Sequence, residues 1–62
     1  MINLIKMDSV KTMTGLSKSS IYAMMHKASF PKNIHIGERG VAWVEAEIQQ
    51  WIESQISQSR LA

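Results

Sequence analysis

The residues able to do chemistry in this chain cluster after Gly15 and suit non-covalent recognition. They are hydroxyl, phenol, imidazole and ammonium groups: Lys18, Ser19, Tyr22, His26 and Lys27. In a helix, at 100° per residue, Ser19 and His26 share one side, and no acid interrupts it. Such a face can approach phosphates and the acceptor groups on base edges. The alternative is an ordinary amphipathic surface helix.

The sequence offers no convergent catalytic or metal site. Its two histidines, His26 and His35, have no cysteine to join them, because the chain contains none. No serine, histidine and acid are spaced like a catalytic triad, and Glu45 and Glu47 would point to different faces of a helix. Residues 37–40 match the GxxG loop of KH domains but lie between strand-like runs, which argues against that fold. We expect no enzyme activity, no cofactor and no metal.

A turn and a capped helix must position the recognition face. Gly15 can adopt the left-handed conformation that ends a preceding helix, and Ser17 is a good N-cap for the next one. An apolar stripe at helical spacing faces the other way. Its members are Ile21, Met24, Met25 and Ala28. We predict a recognition helix over residues 17–28, ending near Ala28 or Ser29 because Pro31 restrains the residue before it.

A shorter helix is predicted before the turn, over residues 8–14. Asp8 is its expected N-cap, and Val10 and Met13 are its inward residues. The short turn between the two helices makes them cross steeply, as in a helix-turn-helix motif. Residues 3–7 are predicted to be an extended segment that packs on the core.

A hairpin and a last helix complete the predicted fold. Two β-prone runs joined by a four-residue loop with a glycine at each end predict a wing over residues 33–44. Arg39 lies at its tip, where it would meet phosphate or the minor groove, or pair with Glu38 at the surface. Helical spacing returns over residues 45–57, and the segment after it is expected to fray. The large aromatic residues are expected in the core: Phe30, Trp43 and Trp51.

Length and charge fit a single small domain of mainly α structure with a β-hairpin, a winged helix-turn-helix over residues 1–62. The net charge of +2 divides unevenly, with +4 in residues 1–40 and −2 in residues 41–62. The basic part holds the recognition helix, so one surface is expected to meet an anion. No apolar run approaches the roughly 20 residues needed to cross a bilayer, so we expect a cytoplasmic protein with no membrane contact.

The chain resembles the AlpA family of small phage and prophage regulators. The resemblance rests on GLSKSSIYAMMHKASFPK at residues 15–32, on the tryptophan-ended wing at residues 37–43 and on EAEIQQWI at residues 45–52. It implies a winged helix-turn-helix related to excisionases and MerR-type regulators. It also implies that Lys18, Ser19 and Tyr22 face DNA and that Arg39 is a wing arginine.

Three positions depart from the family pattern. Ala23 stands where arginine is frequent, Ala28-Ser29 replaces a glycine-containing helix end, and Ala46 replaces a serine cap. The first departure removes one expected phosphate or base contact, which affects affinity and sequence preference rather than the fold.

Three functions follow as hypotheses. The first is a sequence-specific transcriptional regulator that binds double-stranded DNA, with RNA polymerase or an integrase as protein partner and weak or DNA-dependent self-association. The second keeps the fold but acts in prophage excision as a directionality factor for an integrase. The third is a protein-binding inhibitor that uses the acidic last helix.

Overall fold

Three helices pack around a small antiparallel sheet in the computed structural model, which describes residues 1–38 and 40–61. In chain order the elements are β1 (Leu4–Ile5), α1 (Met7–Thr14), α2 (Lys18–His26), β2 (Ile34–Ile36), β3 (Gly40–Val44) and α3 (Glu45–Leu61). The predicted fold class is confirmed: the chain is mainly α with a small β-hairpin, consistent with a winged helix-turn-helix.

The sheet joins the first residues of the chain to the hairpin. Its strand order is β1-β3-β2, so β3 lies in the centre and pairs antiparallel with both neighbours. Leu4 pairs with Val44, and the backbone N–H of Glu45 donates to the carbonyl of Asn3 at 2.9 Å. The segment predicted to be extended, or a short strand, is therefore an edge strand, and the residue before it bonds to the start of α3.

The core lies where α1, α2 and α3 meet the central strand. Its buried residues come from every helix, from β3 and from the link after α2: Val10, Ile21, Phe30, Trp43 and Ile48. The Trp43 indole N–H donates to the Pro31 carbonyl at 3.1 Å. The Trp51 indole N–H donates to the Ser29 carbonyl at 2.9 Å, and its ring meets Phe30 edge-on with the centroids 4.8 Å apart. The two tryptophans thus fasten the segment between α2 and the hairpin.

The turn between α1 and α2 has the predicted chemistry. Gly15 adopts φ +73° in the left-handed region, and its N–H donates to the Lys11 carbonyl at 2.8 Å. Ser17 is the N-cap of α2, where its hydroxyl oxygen accepts from the Ser20 backbone N–H at 3.2 Å. Leu16, between them, is half-buried against the core. The glycine and the cap together fix the direction in which α2 leaves the turn.

The end of α2 differs from the prediction. The helix ends at His26, before the predicted end at residues 28–29, because Ala28 adopts φ +59°. The Ser29 N–H donates to the Met24 carbonyl at 2.8 Å, and the Ala28 N–H donates to the Met25 carbonyl at 3.0 Å. This pair of bonds is a Schellman motif, in which glycine usually takes the left-handed position. The helix therefore ends by its own capping geometry, before the proline.

Replacing Ala28 by glycine is expected to stabilise the protein. An alanine in the left-handed region is strained by roughly 1–2 kcal/mol. Glycine removes this strain from the folded state, but it also increases the conformational entropy of the unfolded chain, which offsets part of the gain. A net gain of about 0.5–1 kcal/mol would raise Tm by roughly 4 °C in a domain of this size. Thermal unfolding followed by circular dichroism measures it. Ala23→Gly, at an exposed helical position of α2, is the matched control and should lower Tm instead; equal shifts in both variants would contradict the assignment.

Three other element boundaries also differ from the prediction. α1 begins at Met7 with Lys6 at the N-cap position, so Asp8 is not the cap but an acid within the positive first turn. The hairpin loop is one residue shorter than predicted, because Gly40 already belongs to β3. α3 runs to Leu61 where fraying after residue 57 was expected. Ala46 lies inside its first turn rather than at its cap.

Candidate nucleic-acid interface

The outer face of α2 carries the predicted recognition residues in exposed positions. Five of the six are described, and all five are exposed to solvent: Lys18, Ser19, Tyr22, His26 and Lys27. Tyr22, the aromatic residue among them, has 39% of its surface exposed. The sixth predicted residue, Arg39, lies outside the described residues.

The rotation of α2 about its axis is fixed by its buried side. Ile21 has no exposed surface and belongs to the core, while Met24 and Met25 pack half-buried against it. Since residues three and four apart lie on one helix face, burial of this stripe turns Ser19, Ala23 and His26 outward. The packing of residues 1–38 and 40–61 therefore leaves this face exposed.

The sequence around this face is positively charged without interruption. Residues 9–37 contain no aspartate or glutamate and four lysines, all of them exposed: Lys11, Lys18, Lys27 and Lys32. The acids lie at the edges of this stretch or on α3. A helix of exposed hydroxyl, imidazole and ammonium groups without carboxylates would attract a polyanion and would not repel phosphates.

The shape of the hairpin depends on two glycines, Gly37 and Gly40. Gly37 adopts φ +74° in the loop, a conformation that L side chains rarely take. A Cβ on Gly40 would lie 2.5 Å from the Ile36 carbonyl oxygen, so only glycine fits there.

Lys6 is a cation that sequence reasoning did not single out. Its ammonium lies 3.5 Å from the same Cβ position on Gly40, which brings a charge from before α1 to the hairpin. This proximity depends on the pairing of β1 with β3, for which the local sequence gives no signal.

A cleft separates α2 from the link that leads into the hairpin. It has a volume of about 310 Å³ and is lined by Tyr22, Met25 and His26 from α2 and by Lys32 and Asn33 from the following link. Asn33 is half-buried, and β2 begins at the next residue. The cleft thus connects the recognition face to the base of the hairpin.

Within residues 1–38 and 40–61, no three histidine or acidic side chains are grouped as metal ligands would be. None of the helices described there combines the length and the apolar character that crossing a membrane requires.

Comparison with known proteins places this arrangement in a family. The model of the family described as prophage CP4-57 regulatory protein (AlpA) matches residues 3–56. No solved structure matches the chain. The uncharacterized protein ORF88 of Enterobacteria phage P4 is 32% identical over 53 residues, which are 86% of this chain and 60% of that protein.

A second relative covers most of both chains. It is the DNA-binding transcriptional activator AlpA of Escherichia coli, 30% identical over 57 residues, with 82% of this chain and 81% of that protein covered. The chain therefore belongs to the AlpA family of prophage regulatory proteins.

Proposed function

We propose that this chain is a sequence-specific DNA-binding transcriptional regulator of phage or prophage type. The observation that carries the proposal is the outer face of α2, which is exposed, cationic and free of acids. A helix of this size fits the major groove of B-DNA, about 12 Å wide, and the adjacent hairpin would then meet the backbone or the minor groove. The printed name of the Escherichia coli relative, a DNA-binding transcriptional activator, supports the same function.

The side chains divide between two roles in this proposal. Ser19 and His26 occupy the exposed face and Tyr22 flanks it, so these three side chains are directed at base edges. Lys18 and Lys27, at the two ends of α2, are positioned for the phosphates on either side of the groove. Arg39 is proposed as a further phosphate or minor-groove contact.

The strength of binding is expected to depend steeply on salt. If about four to six phosphates are neutralised, log affinity falls against log salt concentration with a slope of roughly −4 to −5. Selection of bound sequences from a random duplex pool at two salt concentrations, followed by titration of the best duplex, measures the slope and the sequence preference together.

The outcomes of that selection separate the competing functions. An enriched sequence with the steep slope supports the regulator, whereas a flat salt dependence would overturn it. Absence of any duplex binding in low salt would favour a protein-binding role through α3, whose first turn carries Glu45 and Glu47. Footprints at an attachment site instead of a promoter would assign the chain to excision with an integrase rather than to transcription with RNA polymerase.

A further inference from the structure

The cleft between α2 and the link that leads into the hairpin lies on the path expected for a DNA backbone in the proposed complex. When a helix occupies the major groove and a neighbouring hairpin reaches the next minor groove, the sugar-phosphate strand that separates the two grooves crosses the surface between them. In this protein that surface is the cleft of about 310 Å³ next to the C-terminal half of α2.

The lining of the cleft has the chemistry that phosphate oxygens need. Lys32 supplies an ammonium and Asn33 an amide N–H, and both side-chain types are frequent phosphate contacts. Tyr22 and His26 form the opposite wall, which the cleft shares with the recognition face. Its lining residues include no acid.

A second cleft on the other side of the same link provides a comparison. It is lined by Lys32 and Asn33 as well, but its opposite wall is α3 and includes Glu47. A carboxylate there would repel a phosphate, so the two clefts are not equivalent for an anion. The link is also held in place, because the Trp43 indole bonds to the carbonyl of Pro31, directly before Lys32.

We propose that the cleft formed by Tyr22, His26, Lys32 and Asn33 is a phosphodiester-binding site that seats the strand between the two DNA grooves. This site rests on the proposed DNA-binding function and adds Asn33 and Lys32 to it as positioning contacts. It fixes the register of α2 along the duplex, since a phosphate held beside the helix prevents the helix from sliding in the groove.

The test replaces single phosphates of the selected duplex by uncharged methylphosphonates. For the wild-type chain, we expect one or two adjacent positions on the strand between the grooves to lower affinity about tenfold, the scale of one charge-assisted hydrogen bond. Lys32→Ala should lose a similar factor on the unmodified duplex and become insensitive to those methylphosphonates. Asn33→Asp keeps the side-chain shape but places a carboxylate in the cleft, so it should weaken binding to the unmodified duplex more than Lys32→Ala does. Lys32→Arg keeps the positive charge, so its affinity and its methylphosphonate sensitivity should match those of the wild-type chain.

Arg60→Ala is the matched control, because it removes one positive charge in the last turn of α3, outside the cleft. It should keep the full methylphosphonate sensitivity. Circular dichroism and thermal unfolding establish that each variant is folded. If the wild-type chain binds duplex and Lys32→Ala stays as sensitive as Arg60→Ala, the site is overturned while the proposed function stands. If the wild-type chain binds no duplex, both are overturned.

Discussion

Replacing Trp43 by alanine is expected to remove most of the free energy of unfolding of this chain at 25 °C. Trp43 has no exposed surface, is the largest fully buried side chain and lies on the central strand. Truncation of a buried tryptophan to alanine costs about 3–5 kcal/mol, and the Pro31 carbonyl also loses its donor. A domain of 62 residues is stable by only roughly 3–9 kcal/mol in total. Urea unfolding followed by far-ultraviolet circular dichroism measures the loss.

Trp51→Ala provides the control for this result. The same chemical change at Trp51 removes a half-buried side chain from the margin of the core, so the expected loss of stability is smaller. Trp43→Phe keeps an aromatic ring in the core and should remain folded with a lower urea midpoint. A wild-type urea midpoint in Trp43→Ala would show that the centre of the core lies elsewhere.

Removing both lysines at the ends of α2 is expected to have the largest effect on DNA affinity. Lys18→Ala with Lys27→Ala should weaken binding to selected and random duplexes alike, by about tenfold for each lost charge-assisted contact. The salt slope should become less steep by roughly 2, since each phosphate contact contributes about 0.9. Fluorescence anisotropy titrations at several salt concentrations give both quantities.

Ser19→Ala is the informative companion of that double variant. It changes no charge, so the salt slope should stay the same while the ratio of affinities between selected and random duplex falls. The prediction would be contradicted by a changed salt slope for Ser19→Ala together with a changed sequence preference for the lysine variant. That result would assign the phosphate contact to Ser19 and the base contacts to the lysines.

Local signals in the sequence were sufficient for the elements around the recognition face. Glycine strongly favours the left-handed position after a helix, and serine favours the N-cap, so Gly15 and Ser17 indicated the turn. The apolar spacing from Ile21 onward indicated which side of α2 is buried. The sequence therefore predicted the turn, the cap and the exposure of Ser19 and His26. The roles of these exposed residues stay predictions, because exposure alone does not identify a ligand.

Features that depend on distant pairing or on unusual conformations could not be predicted. Ala28 takes a position normally held by glycine, so no residue type signalled the end of α2. Serine and glutamine in residues 54–59 are weak helix formers or neutral, yet α3 continues through them, because no glycine or proline stops it. Lys6 reaches the hairpin only once β1 has paired with β3. The cleft near Asn33 exists only once the link after α2 lies beside that helix.

The pairing of the first strand with the third sets an order of events for folding. The pairing of Leu4 with Val44 closes a long loop of chain that contains α1, α2 and β2. In contrast, β2 and β3 are joined by a short loop. Closing a long loop costs more conformational entropy than closing a hairpin. We therefore expect the hairpin, α1 and α2 to form while β1 is still unpaired. On a ribosome, the amino-terminal strand would have to wait until residue 44 has emerged. β1 is thus synthesised before the strand with which it pairs and joins the sheet after that strand.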